Sequence, residues 1–148
     1  MLSQTAEYAL RAIVFLANQK DRPRTTAQIA EATRVPVGYL AKVMQSLGRA
    51  GLVISQRGVN GGFVLANPPQ HLTLFQVVHA VDPLRRITKC PLEIPAHGQH
   101  LCPLHKKLDQ ATEMVEQVLR DTKVADLLAG KHRKDKACRF PLVVGAEA

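Results

Sequence analysis

The chain has 148 residues, 46% of them hydrophobic, which gives room for one globular domain with an extension and enough apolar material for a core without disulfide staples. No run approaches about 18 uninterrupted apolar residues, and the start lacks the basic, apolar and small-residue order of a secretory signal. These features argue against a membrane span and predict a soluble, cytoplasmic protein. The net charge of +8 and pI near 9.8 favour polyanions, because each Lys or Arg that neutralises a phosphate releases condensed counterion. Charge alone leaves DNA, RNA and an anionic membrane open. The excess is uneven: residues 1–66 carry 8 basic and 3 acidic side chains, residues 67–148 carry 12 and 9.

In chain order, Ala6, Leu10, Ile13 and Ala17 recur at helical spacing and predict a core helix over residues 3–18. Thr25 and Gln28 form a Thr-x-x-Gln capping box that starts a short second helix ending near Ala32. Pro36 suits the opening of a third helix, where Leu40, Val43, Met44 and Leu47 repeat at i, i+3, i+4 and i+7 until Gly51 offers a stop. The opposite face reads Lys42, Gln45, Ser46 and Arg49. Two β-prone segments follow, Val53–Ser55 and Phe63–Leu65, joined by a glycine-rich turn that carries Arg57 and Asn60. A second capping box, Thr73 and Gln76, starts a helix closed by Asp82-Pro83.

Residues 84–101 hold Pro91, Pro95 and Gly98 with no helical period, and a loop of that length in a compact chain is often functional. Pro103 then begins the longest helix, in which Leu101, Leu104, Leu108, Ala111, Val115, Val118, Thr122 and Ala125 alternate spacings of three and four as a heptad seam. The segment Lys131–Arg139 is a basic tail.

The fold class expected is mainly α with a small β-hairpin wing. A winged helix-turn-helix occupies residues 1–83, a cysteine-containing sensor loop 84–102, a dimerisation helix 103–130 and the basic tail 131–148. In a helix-turn-helix the last helix lies in the major groove. Lys42, Gln45, Ser46 and Arg49 can donate to phosphates or base edges, Gln45 and Arg49 having the fork geometry that suits adenine and guanine. The glycines beside Arg57 and Asn60 let backbone amides approach a sugar-phosphate chain. The plainer alternatives are a solvated helix face and an ordinary tight hairpin; their succession in one chain favours DNA. The seam of the long helix, widened by Met114 and Leu119, calls either for a homodimer, which would match a palindromic duplex operator, or for packing on its own domain.

Three cysteines without an export signal point to free thiols or metal ligands. Cys102 and His105 stand three apart at a helix start and can both face the loop that carries Cys90. Thiolate and imidazole ligate iron-sulfur clusters and zinc, and His97 or His100 could complete a tetrahedral zinc site. Incidental thiols are the alternative. Nothing else supplies an acid-base pair, phosphate loop or oxyanion donor set, so a thiol or metal-dependent enzyme is disfavoured. A single-strand RNA module lacks a clear stacking platform.

The runs SQTAEYALRAIVFLA (Ser3–Ala17), VGYLAKVMQSLGRAGL (Val37–Leu52) and RGVNGGF (Arg57–Phe63), with a cysteine loop ahead of a long helix, resemble the Rrf2 (Rrf-two) family of bacterial winged-helix regulators over residues 1 to about 128. The resemblance implies a homodimeric, sequence-specific transcription factor, expected to be a repressor, with the long helix crossing to its partner. It also implies a response to iron-sulfur, redox or nitric-oxide status in some members, and cofactor-free regulation in others. Cluster-binding relatives carry three loop cysteines; Cys90 and Cys102 match the outer two, and the middle position here is Ala96. His105 matches a histidine found after the last cysteine, and Glu7 falls where some relatives take an acidic ligand from the partner chain. The resemblance therefore suggests a mixed two-iron, two-sulfur (2Fe-2S) site of Cys90, Cys102, His105 and Glu7, with zinc or no cofactor as alternatives. Glu7 has a plainer role as a favourable charge near a helix N-terminus.

Overall fold

The computed structural model describes residues 2–98 and 100–128. Helix α1 (Gln4–Ala17) begins at Ser3, whose hydroxyl accepts the Ala6 amide at 3.1 Å, and it is the hub of the fold. Its second half is apolar all round: Ala12, Ile13, Val14, Phe15 and Leu16 are buried in succession. A helix buried on every side must be surrounded, and α2 (Thr26–Thr33), α3 (Val37–Arg49), α4 (Leu74–Val81) and α6 (Val124–Leu128) all pack against it. Both expected capping boxes form. Thr25 and Thr73 accept the amides of Gln28 and Gln76, whose side chains return to the Thr amides at 3.0 and 2.9 Å.

Between α2 and α3 the chain reverses through Arg34, held at φ 56°, into Pro36. Helix α3 buries Leu40, Val43, Met44 and Leu47 against α1 and α2, as its period predicts. Strands β1 (Val53–Gln56) and β2 (Gly62–Leu65) pair antiparallel with Val53 opposite Leu65 and Gln56 opposite Gly62.

The hairpin is tied back to the helical body. Arg24 and Phe63 exchange both backbone hydrogen bonds, at 3.1 and 2.7 Å. The Arg24 side chain donates to buried Gln19, which donates to the Phe15 carbonyl at the end of α1.

The long helix differs from its expected extent. Helix α5 (Pro103–Asp121) ends where the heptad spacing would carry it on to Thr122 and Ala125, short of the expected bound at residue 130. The Thr122 carbonyl accepts the Leu74 amide at 3.0 Å and the Val124 amide donates to Leu72 at 2.8 Å, so this backbone pairs with the start of α4 and α6 turns back onto α1. Val124 is fully buried there. The loop 84–101 also has internal structure, a 3₁₀ turn at Pro95–His97. A smaller core of Ala6, Val78 and Leu119 joins α1, α4 and α5. The expected basic tail, with Cys138, lies outside the described residues.

Candidate nucleic-acid interface and cysteine cluster

On α3 the residues left outside the core are Val37, Gly38, Tyr39, Ala41, Lys42, Gln45, Gly48 and Arg49, all exposed, with Ser46 half-buried at the margin. Lys42, Gln45 and Arg49 thus form a stripe of donors along the helix, opposite the seam that fixes its rotation about its axis. Pro36 precedes α3 and provides no side-chain cap, so the first-turn amides have no capping acceptor on that residue. Tyr39, 60% exposed, stands in the same first turn and meets the Tyr8 ring edge-on at 6.4 Å. Sequence patterning passed over Tyr39 because it flanks the apolar seam at Leu40. A first-turn aromatic outside that seam is the signal that could have singled it out.

In the hairpin, Arg57, Gly58, Val59 and Asn60 are exposed at the tip, where the Gly61 amide closes onto the Gly58 carbonyl at 3.0 Å. A Cβ on Gly62 would lie 2.4 Å from the Arg24 carbonyl carbon, so only glycine lets the second strand approach the body this closely.

The second constellation lies in the loop before α5. Cys102 is the residue at the N-terminal boundary of that helix and His105 sits in its first turn, which brings Cys102 Sγ and His105 Nδ1 to 3.0 Å. Cys90 is buried at the other end of the loop, and the ligand atoms of Cys90, Cys102 and His105 all lie within 4.8 Å of one another. His97, at the end of the 3₁₀ turn, places Nδ1 3.3 Å from Cys90 Sγ. Lys89, Cys90, Glu93, Ile94 and Gly98 line an adjoining open cleft. His100 is exposed, and no contact joins it to the sulfurs among the described residues.

A clamp ties the start of the loop to α5. Arg86 donates from Nε and Nη2 to the two carboxylate oxygens of Asp109, both at 2.7 Å, and Asp109 also accepts the Ile87 amide at 2.8 Å. Bidentate, charge-assisted bonds of this kind fix orientation as well as distance. The Arg86 bond, reinforced by the Ile87 amide, holds the Asp109 carboxyl down from the usual 3.8 to about 2. The same bond raises the Arg86 guanidinium further above its already high value, with Glu113 and Glu116 adding to the effect.

Glu7 stands apart from this cluster. It is exposed on α1 and pairs with Arg11 Nη2 at 2.6 Å. Its neighbour Ala6 packs on Leu119, and roughly 24 Å of helix separates Leu119 from Pro103 at about 1.5 Å per residue. Glu7 of the same chain is therefore remote from the two sulfurs, and only a Glu7 from another copy could reach them.

Comparison with known proteins places these features in a family. The Rrf2 model, described as iron-dependent transcriptional regulator, matches residues 2–130. An HTH-type transcriptional regulator of Aquifex aeolicus (strain VF5) is 29% identical over 131 residues, 86% of this chain and 91% of that protein. CymR, the global cysteine regulator of B. subtilis, superimposes with a TM-score of 0.72 at 26% identity, over 87% of this chain and 96% of that one. IscR of T. potens shares the fold, with a TM-score of 0.74 at 22% identity over 93% of each chain. No helix among the described residues is long and apolar enough to cross a membrane. With the hub helix, the donor-striped third helix and the glycine-tied wing all inside the matched span, the chain belongs to the Rrf2 family of winged helix-turn-helix, DNA-binding transcriptional regulators.

Proposed function

We propose that the protein is a homodimeric repressor that binds a palindromic duplex operator, its affinity set by the state of the Cys90–Cys102–His105 cluster. The observation that carries the DNA-reading part is the division of α3 into a buried seam and an exposed row of Lys42, Gln45 and Arg49, followed at once by the anchored wing. Arg49 and Gln45 serve as base readers, Lys42 and Ser46 as phosphate donors, and Arg57 and Asn60 hold the backbone from the wing.

Homodimerisation is supported by α5. Leu104, Met114 and Val118 are 63%, 66% and 64% exposed, and Leu119 is the sole buried residue of the helix among the described residues. A second copy of the same helix covers such a face with closed symmetry and sets two α3 helices about one DNA turn apart. The loop ends where α5 begins, so a ligand or an oxidised sulfur at Cys102 acts directly on the dimer helix. A coupling of about 1–3 kcal/mol would suffice to switch operator affinity.

The test is selection of duplexes from a random pool by the purified protein, followed by anisotropy titrations. Enriched sequences should be inverted repeats with half-sites about one turn apart. Arg49→Ala should cost about 1–3 kcal/mol and relax one position of each half-site; Lys42→Ala should weaken all sequences alike and lower the salt slope by about 1. Enrichment of asymmetric or single-stranded sequences, or unchanged binding by both variants, would overturn the assignment.

A further inference from the structure

With Ala96 at the middle position, the loop provides two thiols rather than three, and the three clustered donors leave a tetrahedral ion one ligand short. Two side chains could fill the vacancy: a Glu7 from another copy, at the expense of its bond to Arg11, or His97, which already stands 3.3 Å from Cys90 Sγ. We propose that His97 is the fourth donor, so that one chain holds a zinc ion between Cys90, His97, Cys102 and His105. This deepens the assignment above, on which it rests only for the consequence that the bound ion acts on DNA affinity.

The distances suit a single ion. With Zn–S near 2.3 Å and Zn–N near 2.0–2.1 Å, tetrahedral geometry sets neighbouring ligand atoms about 3.3–3.8 Å apart. The Cys90–His97 and Cys102–His105 pairs, at 3.3 and 3.0 Å, are already near that range, and the three-residue cluster within 4.8 Å must draw in by about an ångström. His97 lies outside that tight group and closes on it by movement of the 3₁₀ turn, which is exposed on its Pro95–Ala96 side.

The pairing pattern also separates one ion from two irons. In the two-histidine iron-sulfur arrangement both cysteines bind one iron and both histidines the other. Here each sulfur has an imidazole as its close neighbour, and the two pairs come from opposite ends of the loop. Four donors drawn from the loop and the first turn of α5 make a closed site of the structural Cys₂His₂ type, complete without a second protomer. Binding would fasten the 3₁₀ turn to the first turn of α5.

The full-length protein, purified without chelator, should contain one zinc per chain. After exchange for cobalt it should show the intense ligand-field bands of a tetrahedral ion and sulfur-to-metal charge transfer from two thiolates. His97→Ala should weaken zinc at least about 10-fold, the lower end of what even an outer partner of a ligand contributes. His97→Cys should restore binding with charge transfer from three thiolates, which also excludes simple misfolding of the loop. Glu7→Gln should bind zinc like the parent.

Visible iron-sulfur bands with matching iron and sulfide, zinc binding indifferent to His97, or zinc lost in Glu7→Gln would each overturn the proposal. Operator titrations with and without zinc report separately on the regulatory role. Stoichiometric zinc with unchanged DNA affinity would refute control by the loop and leave the ligand set intact.

Discussion

Replacing Gly62 by Ala tests the anchorage of the wing most directly. The added Cβ would lie 2.4 Å from the Arg24 carbonyl carbon and 2.5 Å from its oxygen, where ordinary contacts begin at 3.4 Å, so the strand must retreat by about an ångström. Retreat breaks the paired bonds between Arg24 and Phe63, each contributing about 1 kcal/mol. The backbone is also held at φ +147°, where a side chain adds strain of about 1–3 kcal/mol. The sum is about 3 kcal/mol or more, equivalent to a fall in Tm on the order of 10 °C for a chain of this size.

Gly58→Ala provides the control. Its φ of +113° carries the same kind of backbone strain, but no atom lies within 4 Å of the new methyl, so the two variants should differ by about the 2 kcal/mol of the lost pairing. Urea unfolding gives the two free energies, and hydrogen exchange at the Arg24 and Phe63 amides shows whether the wing has detached. Equal destabilisation of the two variants, or undiminished protection at Phe63 in Gly62→Ala, would refute the steric reasoning.

Charge placed on the uncovered face of α5 should prevent association: Met114→Glu with Val118→Glu is expected to sediment as a monomer with unchanged helical circular dichroism, and a persisting dimer would locate the interface elsewhere. The Asp109 clamp predicts a pH dependence. Because its folded value is depressed from 3.8 to about 2, its stabilisation is complete above about pH 4 and is lost as pH falls through that window. The stability gap between the parent and Asp109→Asn should therefore narrow between pH 4 and pH 2. A gap that stays constant across that range would show that ionisation of Asp109 is not what holds Arg86.

Much of this architecture is legible in the residues because it is encoded locally. The capping boxes at Thr25 and Thr73 need only two side chains three positions apart, and the seam Leu40, Val43, Met44 and Leu47 states the rotation of α3 and hence which face is left for a partner. The end of α5 is not legible. Thr122 and Ala125 continue the spacing of three and four, yet backbone pairing of Thr122 with Leu74 stops the helix, a tertiary bond with no signature in the period. The Arg24–Phe63 bridge is likewise made by main-chain atoms distant in sequence; the glycine at position 62 hints at close approach but not at its partner. In the cysteine loop, Cys102 and His105 are readable as neighbours because a helix brings i and i+3 together. His97 meets Cys90 only through the 3₁₀ turn between prolines, which leaves no periodic trace. Glu7 matches a family position in sequence, while the packing of Ala6 on Leu119 puts it at the opposite end of the long helix.

The clamp between Arg86 and Asp109 gives the cysteine loop fixed feet. Its basic member stands near the start of the loop, ahead of Cys90, and its acidic member in the second turn of the helix that follows, so both ends of the cysteine-bearing span are tied to one ion pair. Such a span behaves as an interchangeable cassette. Residues between Arg86 and the start of α5 can be gained, lost or exchanged, a cysteine for an alanine or a histidine moved by one place, while the ion pair keeps the two ends of the segment in register. One body could thereby acquire a new chemical sense by rewriting a few loop positions. Transplanting the loop of another regulator between the same two feet is accordingly a practical way to ask what chemistry this body can be made to report.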